Sequence, residues 1–264
     1  MTKANLHIHT TYSDGVETLD EIIEKAKYYN FDYIAITDHD TLENMDEIKT
    51  KDFKIIQGIE MSAKYNSETI HILGYFKDKP SDELRNYLKN ESIKREERAK
   101  KIIEGLKEYY NIEIDYEDVK KEADGIIARP HIAKVICKKY GRTFDEAFDL
   151  YIGDNSKAYV PYDVISLDAA IKRLKENNAL VVLAHPILIK KSNYIDIIDK
   201  FDGVEVYHPD QPQNFRKELL NIAKEKNLIV TGGSDYHGNI IENKFEEAYI
   251  ENDDLQNFLK SVNL

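Results

Sequence analysis

Cysteine is nearly absent from this chain of 264 residues, and Cys137 is the single example. One thiol forms no internal disulfide and builds no thiolate-rich metal site, so any bound metal must take nitrogen and oxygen ligands. Long apolar runs are missing too. Nothing reaches the length of a membrane span, and the opening MTKANLHIHT lacks the apolar core of a secretory signal, so a soluble cytoplasmic protein is expected, with no membrane partner. Basic residues are the minority: 37 Lys and Arg stand against 49 Asp and Glu, a net charge of −12. That balance argues against long duplex nucleic acid as a partner, because such binding draws on basic residues that neutralise phosphates. A small anionic substrate held by metal ions is still allowed, since a local field can oppose the global one. No internal repeat and no low-complexity tract is present. No glycine-rich phosphate fingerprint follows the first strand, which counts against an open dinucleotide-binding sheet.

What is present is a strand–helix alternation with one long interruption. At this length roughly 70–75% of the unfolded chain's surface can be buried, enough for a core without staples. The alternation Leu6-His7-Ile8-His9 reads as a strand with both imidazoles on one face, turned at Asp14-Gly15. Thr18 to Glu21 is a capping box ahead of a helix whose apolar face is Ile22, Ile23 and Ala26. Further strands are expected at 31–37, 54–59 and 69–75, the last two as a hairpin-like pair. From 80 to 158 the chain becomes helical and highly charged, which divides it into a first barrel segment (1–79), a helical insertion (80–158) and a second barrel segment (159–264). In that second segment Ser166 caps a helix, strands are expected at 180–184, 203–207, 228–231 and 248–250, and further helices at 195–200, 213–226 and from Asn252. Strands alternating with helices argue for a parallel sheet, and about seven are enough to close a barrel whose chemistry lies at the carboxyl ends of its strands.

Those ends carry His9, His39, Glu60, His185, His208 and the pair Asp235/His237. A single histidine beside a strand is usually a satisfied core or surface residue. At least five strand ends carrying His, Asp or Glu together read as a metal cluster.

The strings His7-Ile8-His9-Thr10 with Ser13-Asp14-Gly15, Ile36-Thr37-Asp38-His39-Asp40, Gly58-Ile59-Glu60, His71-Ile72-Leu73-Gly74, Ala184-His185-Pro186 and Gly233-Ser234-Asp235-Tyr236-His237 resemble, in order, the motifs of the PHP (polymerase and histidinol phosphatase) family. The resemblance implies a distorted (β/α)7 barrel with up to three divalent metals, for which Mn²⁺, Fe²⁺ and Zn²⁺ all suit imidazole and carboxylate ligands. It assigns His7, His9, Glu60 and Asp235 to one metal and Asp14, His39 and His237 to a second. Glu60 would bridge to a third, held also by His71 and His185. Three such ions against the carboxylates of Asp14, Glu60 and Asp235 leave about +3, a field suited to phosphate. A water shared by two metals falls from a pKa of 15.7 towards roughly 7, which makes hydroxide available to attack phosphorus.

Arg129-Pro130-His131, with Ala158-Tyr159-Val160-Pro161 after it, resembles the small-phosphoesterase branch of the family, where the insertion caps the barrel mouth and its Arg binds a substrate phosphate. Read alone, the segment is better described as a surface helix with an ordinary Arg and Pro in its first turn. Lys157 is a weaker phosphate contact. The catalytic candidates are Asp235 and His208, the latter as proton donor or substrate contact. The implied activity is metal-dependent hydrolysis of nucleotide phosphomonoesters, such as a 3′,5′-bisphosphate yielding the 5′-monophosphate. The alternatives are 5′→3′ exonuclease action on short oligoribonucleotides, histidinol-phosphate hydrolysis and a non-catalytic metal-bound module.

Overall fold

The computed structural model describes residues 2–46, 54–123, 127–153, 155–238 and 244–264. Eight strands form one sheet: β1 (Lys3–Asn5), β2 (Tyr33–Ile36), β3 (Lys54–Tyr65), β4 (Glu68–Phe76), β5 (Ala179–Leu183), β6 (Gly203–Tyr207), β7 (Ile229–Gly232) and β8 (Ile250–Glu251). Their order is β7-β6-β5-β4-β3-β2-β1-β8. The helices are α1 (Leu19–Tyr28), α2 (Asp82–Tyr110), α3 (Tyr116–Ala123), α4 (Arg129–Tyr140), α5 (Phe144–Ala147), α6 (Leu167–Glu176), α7 (Gln213–Lys226) and α8 (Asn252–Ser261).

The sheet is not uniformly parallel, as strand–helix alternation alone suggests. β4 runs against both β3 and β5, and β8 runs against β1, while the other neighbours are parallel. The cause at β4 is a tight hairpin: Tyr65 pairs with Glu68 across a turn where Asn66 takes a φ of 52°. This hairpin carries β3 well past Glu60, which therefore lies within the strand and not at its end. Relative to β2, however, Glu60 is terminal. Its backbone meets the first residues beyond β2, with Asp40 N–H donating to Glu60 O and Glu60 N–H to Asp38 O.

β1 is correspondingly shorter than expected and stops before the histidines. Beyond it the chain stays extended by bonding to the opposite edge, which nearly closes a barrel. Leu6 N–H donates to Gly232 O at 3.1 Å and His9 N–H to Tyr236 O at 2.9 Å, with a bridge between Ile8 and Tyr236. This seam needs glycine at position 233, where a Cβ would lie 2.3 Å from the His7 nitrogen.

Two compact units are present, Met1–Arg85 with Val164–Leu264 and Asn86–Asp163. One boundary falls inside α2, a helix whose pattern has no break there. In the barrel unit, Leu255, Phe258 and Leu259 of α8 pack with Leu6, Tyr75 and Val182. On another side, Leu19, Ile22, Ile23 and Ala26 of α1 pack with Ile8, Ile34 and Ile36, each large side chain contributing roughly 1.5–3 kcal/mol on full burial. Thr18 caps α1 with the expected capping box. The helical unit has its own apolar core, including Ile102, Leu106, Val119, Ile132 and Ile136. One expected helix differs. The segment 195–200 forms two 3-10 turns, because Ile197 and Ile198 must both be buried within a span too short for regular α turns. After α5 the chain widens into a π-helical turn at Phe148–Ile152. Among the described residues no helix is long and apolar enough to cross a membrane.

Candidate metal centre

The barrel closure delivers His7 and His9 to the site, their ring centroids 5.2 Å apart. Asp38, fully buried, braces the following loop. It accepts from Thr10 N–H and Thr10 Oγ1, both at 2.7 Å, and from Ser13 Oγ at 2.6 Å, which fixes the turn that presents Asp14. Backbone conformation marks the same place. Of the described non-glycine residues with positive φ, those that are not asparagine are Asp40 (50°), His185 (24°) and Asp235 (49°), all at this end of the barrel. Holding such residues left-handed costs free energy, and such strain collects at functional sites.

Glu60 is the hub. Its Oε2 lies 3.1 Å from the Nε2 atoms of both His7 and His9 and 3.3 Å from His39 Nδ1. Its Oε1 lies 2.9 Å from His71 Nδ1 and from His185 Nε2. Asp235 Oδ1 meets His7 Nε2 at 3.2 Å and His9 Nε2 at 3.1 Å. Asp14 approaches His237 at 3.2 Å, His9 at 3.5 Å and His39 at 3.7 Å. All nine residues named for metals from the sequence are thus brought together.

Their grouping is tighter than the assignment by resemblance. Donor atoms converge within 4.8 Å in three sets: His7, His9, Glu60 and Asp235; His9, Asp14, His39 and His237; and His39, Glu60 and His71. His9 therefore serves two sets, and His185 joins through Glu60 Oε1. A cavity of about 250 Å³ adjoins the cluster, lined by His39, Glu60, His71, His185 and Asp235 with an apolar lip of Ile70, Leu188 and Ile189.

Two observations test whether metals fit. His9 Nε2, Asp14 Oδ1, His39 Nδ1 and Asp235 Oδ1 are buried without a directed hydrogen bond, although each faces a group of the cluster. Unsatisfied buried polar atoms are costly, and converging nitrogen and oxygen lone pairs of this kind suit a borderline divalent ion. The charges point the same way. Burial opposes ionisation of Glu60, but the rings of His39, His7 and His71 hold its pKa well below the carboxylate range. Burial likewise opposes a charge on His9, yet Asp235 and Glu60 raise its pKa to about 10. His39 goes the other way: burial dominates and lowers it to about 4. Without ions, the cluster's carboxylates are compensated by protons on imidazole, the same positions a divalent cation would compete for.

His208 ends β6 and is fully buried. Its Nδ1 accepts from Asp210 N–H at 3.2 Å, so in the neutral ring the proton sits on Nε2, 3.3 Å from Asp235 Oδ2. Arg129 lies in the helical unit, its guanidinium over the rings of Phe148 and Tyr159 at 5.3 and 5.4 Å, with Nη1 donating to Ile152 O. Arg98 stacks over the same Tyr159 ring at 5.7 Å. His131 of the same motif caps α4, its Nδ1 accepting from Ala128 N–H. Lys157 is exposed, and its backbone N–H donates to Tyr110 Oη. Three buried acids, Asp38, Asp40 and Glu205, are not among the candidates that the sequence singles out. Their signal is a charge within a stretch that an α/β barrel buries on both faces.

The PHP domain family matches residues 5–158, more than half of the chain. The chain belongs to the PHP domain family. Relatives of this PHP protein include the 5′-3′ exoribonuclease of Haemophilus influenzae, 30% identical over 248 residues, covering 89% of this chain and 90% of that one. The 3′,5′-nucleoside bisphosphate phosphatase of Chromobacterium violaceum is 25% identical over 251 residues, covering 90% and 88%. Among solved structures, a Bifidobacterium adolescentis protein assigned to the metal-dependent phosphoesterases superposes with a TM-score of 0.80 at 29% identity, covering 98% of this chain and 96% of that one.

Proposed function

We propose that this PHP protein is a metal-dependent phosphoesterase that breaks the bond between phosphorus and the 3′-oxygen of a nucleotide bearing a 5′-phosphate. The observation that carries this reading is the convergence of six imidazoles on three carboxylates, Asp14, Glu60 and Asp235. His7, His9, Glu60 and Asp235 would hold one ion, Asp14, His39 and His237 a second, and Glu60 with His71 and His185 a third, drawn from Mn²⁺, Fe²⁺ or Zn²⁺. Bound divalent ions supply charge to neutralise phosphoryl oxygens and acidify water enough to give hydroxide at neutral pH.

The chain's own groups do the rest. His208 serves as a substrate contact, its Nε2–H donating a hydrogen bond to the leaving 3′-oxygen as the P–O bond breaks, an orientation supported by the Asp210 N–H that occupies its other nitrogen. Arg129 takes a substrate phosphate, supported by the Arg-Pro-His motif and by a second guanidinium, Arg98, on the same Tyr159 ring. Lys157 is a weaker candidate for the same anion. A single half-buried cysteine suits a reducing cytoplasmic setting.

The bond chosen unites two substrates. A 3′,5′-bisphosphate releases inorganic phosphate and leaves the 5′-monophosphate. A 5′-phosphorylated oligoribonucleotide cut at the same bond releases the same 5′-monophosphate and a chain shortened by one, a reading favoured by the Haemophilus influenzae relative. The test is turnover of metal-loaded protein on adenosine 3′,5′-bisphosphate, 5′-phosphorylated short RNA, nucleotide monophosphates and histidinol phosphate, each with a chelator control. Chelator-sensitive release of 5′-AMP from the first is expected. Absent turnover on the whole panel, or turnover indifferent to chelator, would sink the reading.

A further inference from the structure

Glu205 stands directly behind the metal cluster and belongs to none of the sets of converging donors. It sits mid-strand on β6 and is wholly excluded from solvent. A carboxylate there is expensive unless each oxygen finds a donor. Each does. His7 Nδ1–H donates to Oε1 at 3.0 Å, and the backbone N–H of His185 donates to Oε2 at 2.9 Å. The strand itself is pinned by Gln211, whose Nε2 donates to the carbonyls of Glu205 and Val206 at 3.0 and 2.7 Å.

These contacts have a consequence for two of the metal-holding residues. A neutral imidazole, the form that binds a metal, whose Nδ1 carries a proton towards a carboxylate offers its lone pair at Nε2. In His7 that atom faces Glu60 and Asp235 at 3.1 and 3.2 Å. His185 leaves β5 with a φ of 24° and a ψ of 65°, a conformation a β-carbon resists. The Glu205 oxygen on its N–H is one of the contacts that hold it there. We infer that Glu205 is a positioning residue that sets the tautomer of His7 with one oxygen and the backbone of His185 with the other, tuning both for a divalent ion. This rests on the proposed reading of His7 and His185 as metal-holding groups.

Glu205→Gln keeps the shape but offers one acceptor to two donors, so one of the two contacts becomes an N–H facing an N–H. Wild-type and variant protein, stripped of metal, are titrated with Zn²⁺ against a chromophoric chelator. The wild type is expected to take up Zn²⁺, and the variant to bind it roughly 10–100-fold more weakly. A wild type that takes up no Zn²⁺ overturns the metal reading itself. A variant that matches a Zn²⁺-binding wild type overturns the role of Glu205 alone. A second measurement does not depend on the variant folding. In long-range ¹H–¹⁵N spectra of zinc-loaded wild-type protein, with His7 assigned, Nδ1 should carry the proton and Nε2 the metal-bound signature. The reverse pattern overturns the inference.

Discussion

The barrel unit and the helical unit both bury apolar cores, but the barrel unit also buries a cluster of charged and titratable groups. The helical core is made of alanine, isoleucine, valine and leucine, while charge there is represented by exposed pairs such as Lys107 with Glu113 at 2.8 Å. At one end the barrel encloses His7, His9, Glu60, Glu205 and His208, each with essentially no exposed surface. Taking a charge out of water costs several kcal/mol, and apolar residues of similar volume would often be at least as stable. The helical unit shows that this chain builds an ordinary core where nothing else is asked of it. The polar end of the barrel is therefore retained for chemistry.

The contrast can be broken most severely at its hub. Glu60→Gln removes the negative charge that faces five imidazoles, and kcat/KM on the best phosphoester should fall by roughly 10³ or more, as when a catalytic donor is lost. Steady-state kinetics with metal counted per chain checks this, and near-normal turnover would remove Glu60 from the centre of the site. Arg129→Ala probes the main chemical role assigned to the helical unit. A loss of roughly 1.5–3 kcal/mol, the range for charge-assisted bonds, is expected in kcat/KM for substrates with a second phosphate, and little for those without. Equal losses on both would end its role as a phosphate contact.

Acidity gives a smaller and conditional effect. In the metal-free folded chain His9 keeps its proton to about pH 10, against 6.5 as its ordinary value. The folded state thus holds the proton more tightly. The resulting stabilisation is complete below pH 6.5 and is lost as pH rises towards 10. The melting temperature of chelator-treated protein should fall across that window, and that of zinc-loaded protein should fall less. Identical slopes would mean that no ion replaces the proton. The smallest effect belongs to the helical unit's surface. Lys107→Ala should leave the thermal melt unchanged within error, because exposed pairs contribute little, and a clear shift would show that charge matters in that unit too.

How much of this is legible in the sequence varies by residue. The capping box at Thr18 and the partnership of β3 with β4 follow from local chemistry, and the nine candidate metal residues from the resemblance of their motifs to the PHP family. Glu60 reads as a strand end because pattern does not say how far a hairpin extends. The turns at 194–200 read as a helix because their apolar residues recur at helical spacing, while burying neighbours in a short span decides otherwise. Glu205 draws no notice because Val204-Glu205-Val206 has the alternation of a strand with one wet face. Only closure of the sheet turns that face inward. One of the two groups that satisfy Glu205, the ring of His7, is 198 positions away, where local sequence carries no trace of it.

That distance has a consequence during synthesis. Leu6 bonds to Gly232, and β1 is flanked by β2 on one side and β8 on the other. A nascent chain that ends before β7 has an unpaired edge at Leu6 and has not yet made Asp235 or His237. Its histidines are then held by no complete cage, and their imidazoles are open to whatever ion is abundant nearby. The full set of candidate ligands is therefore assembled only once Asp235 and His237 have been made.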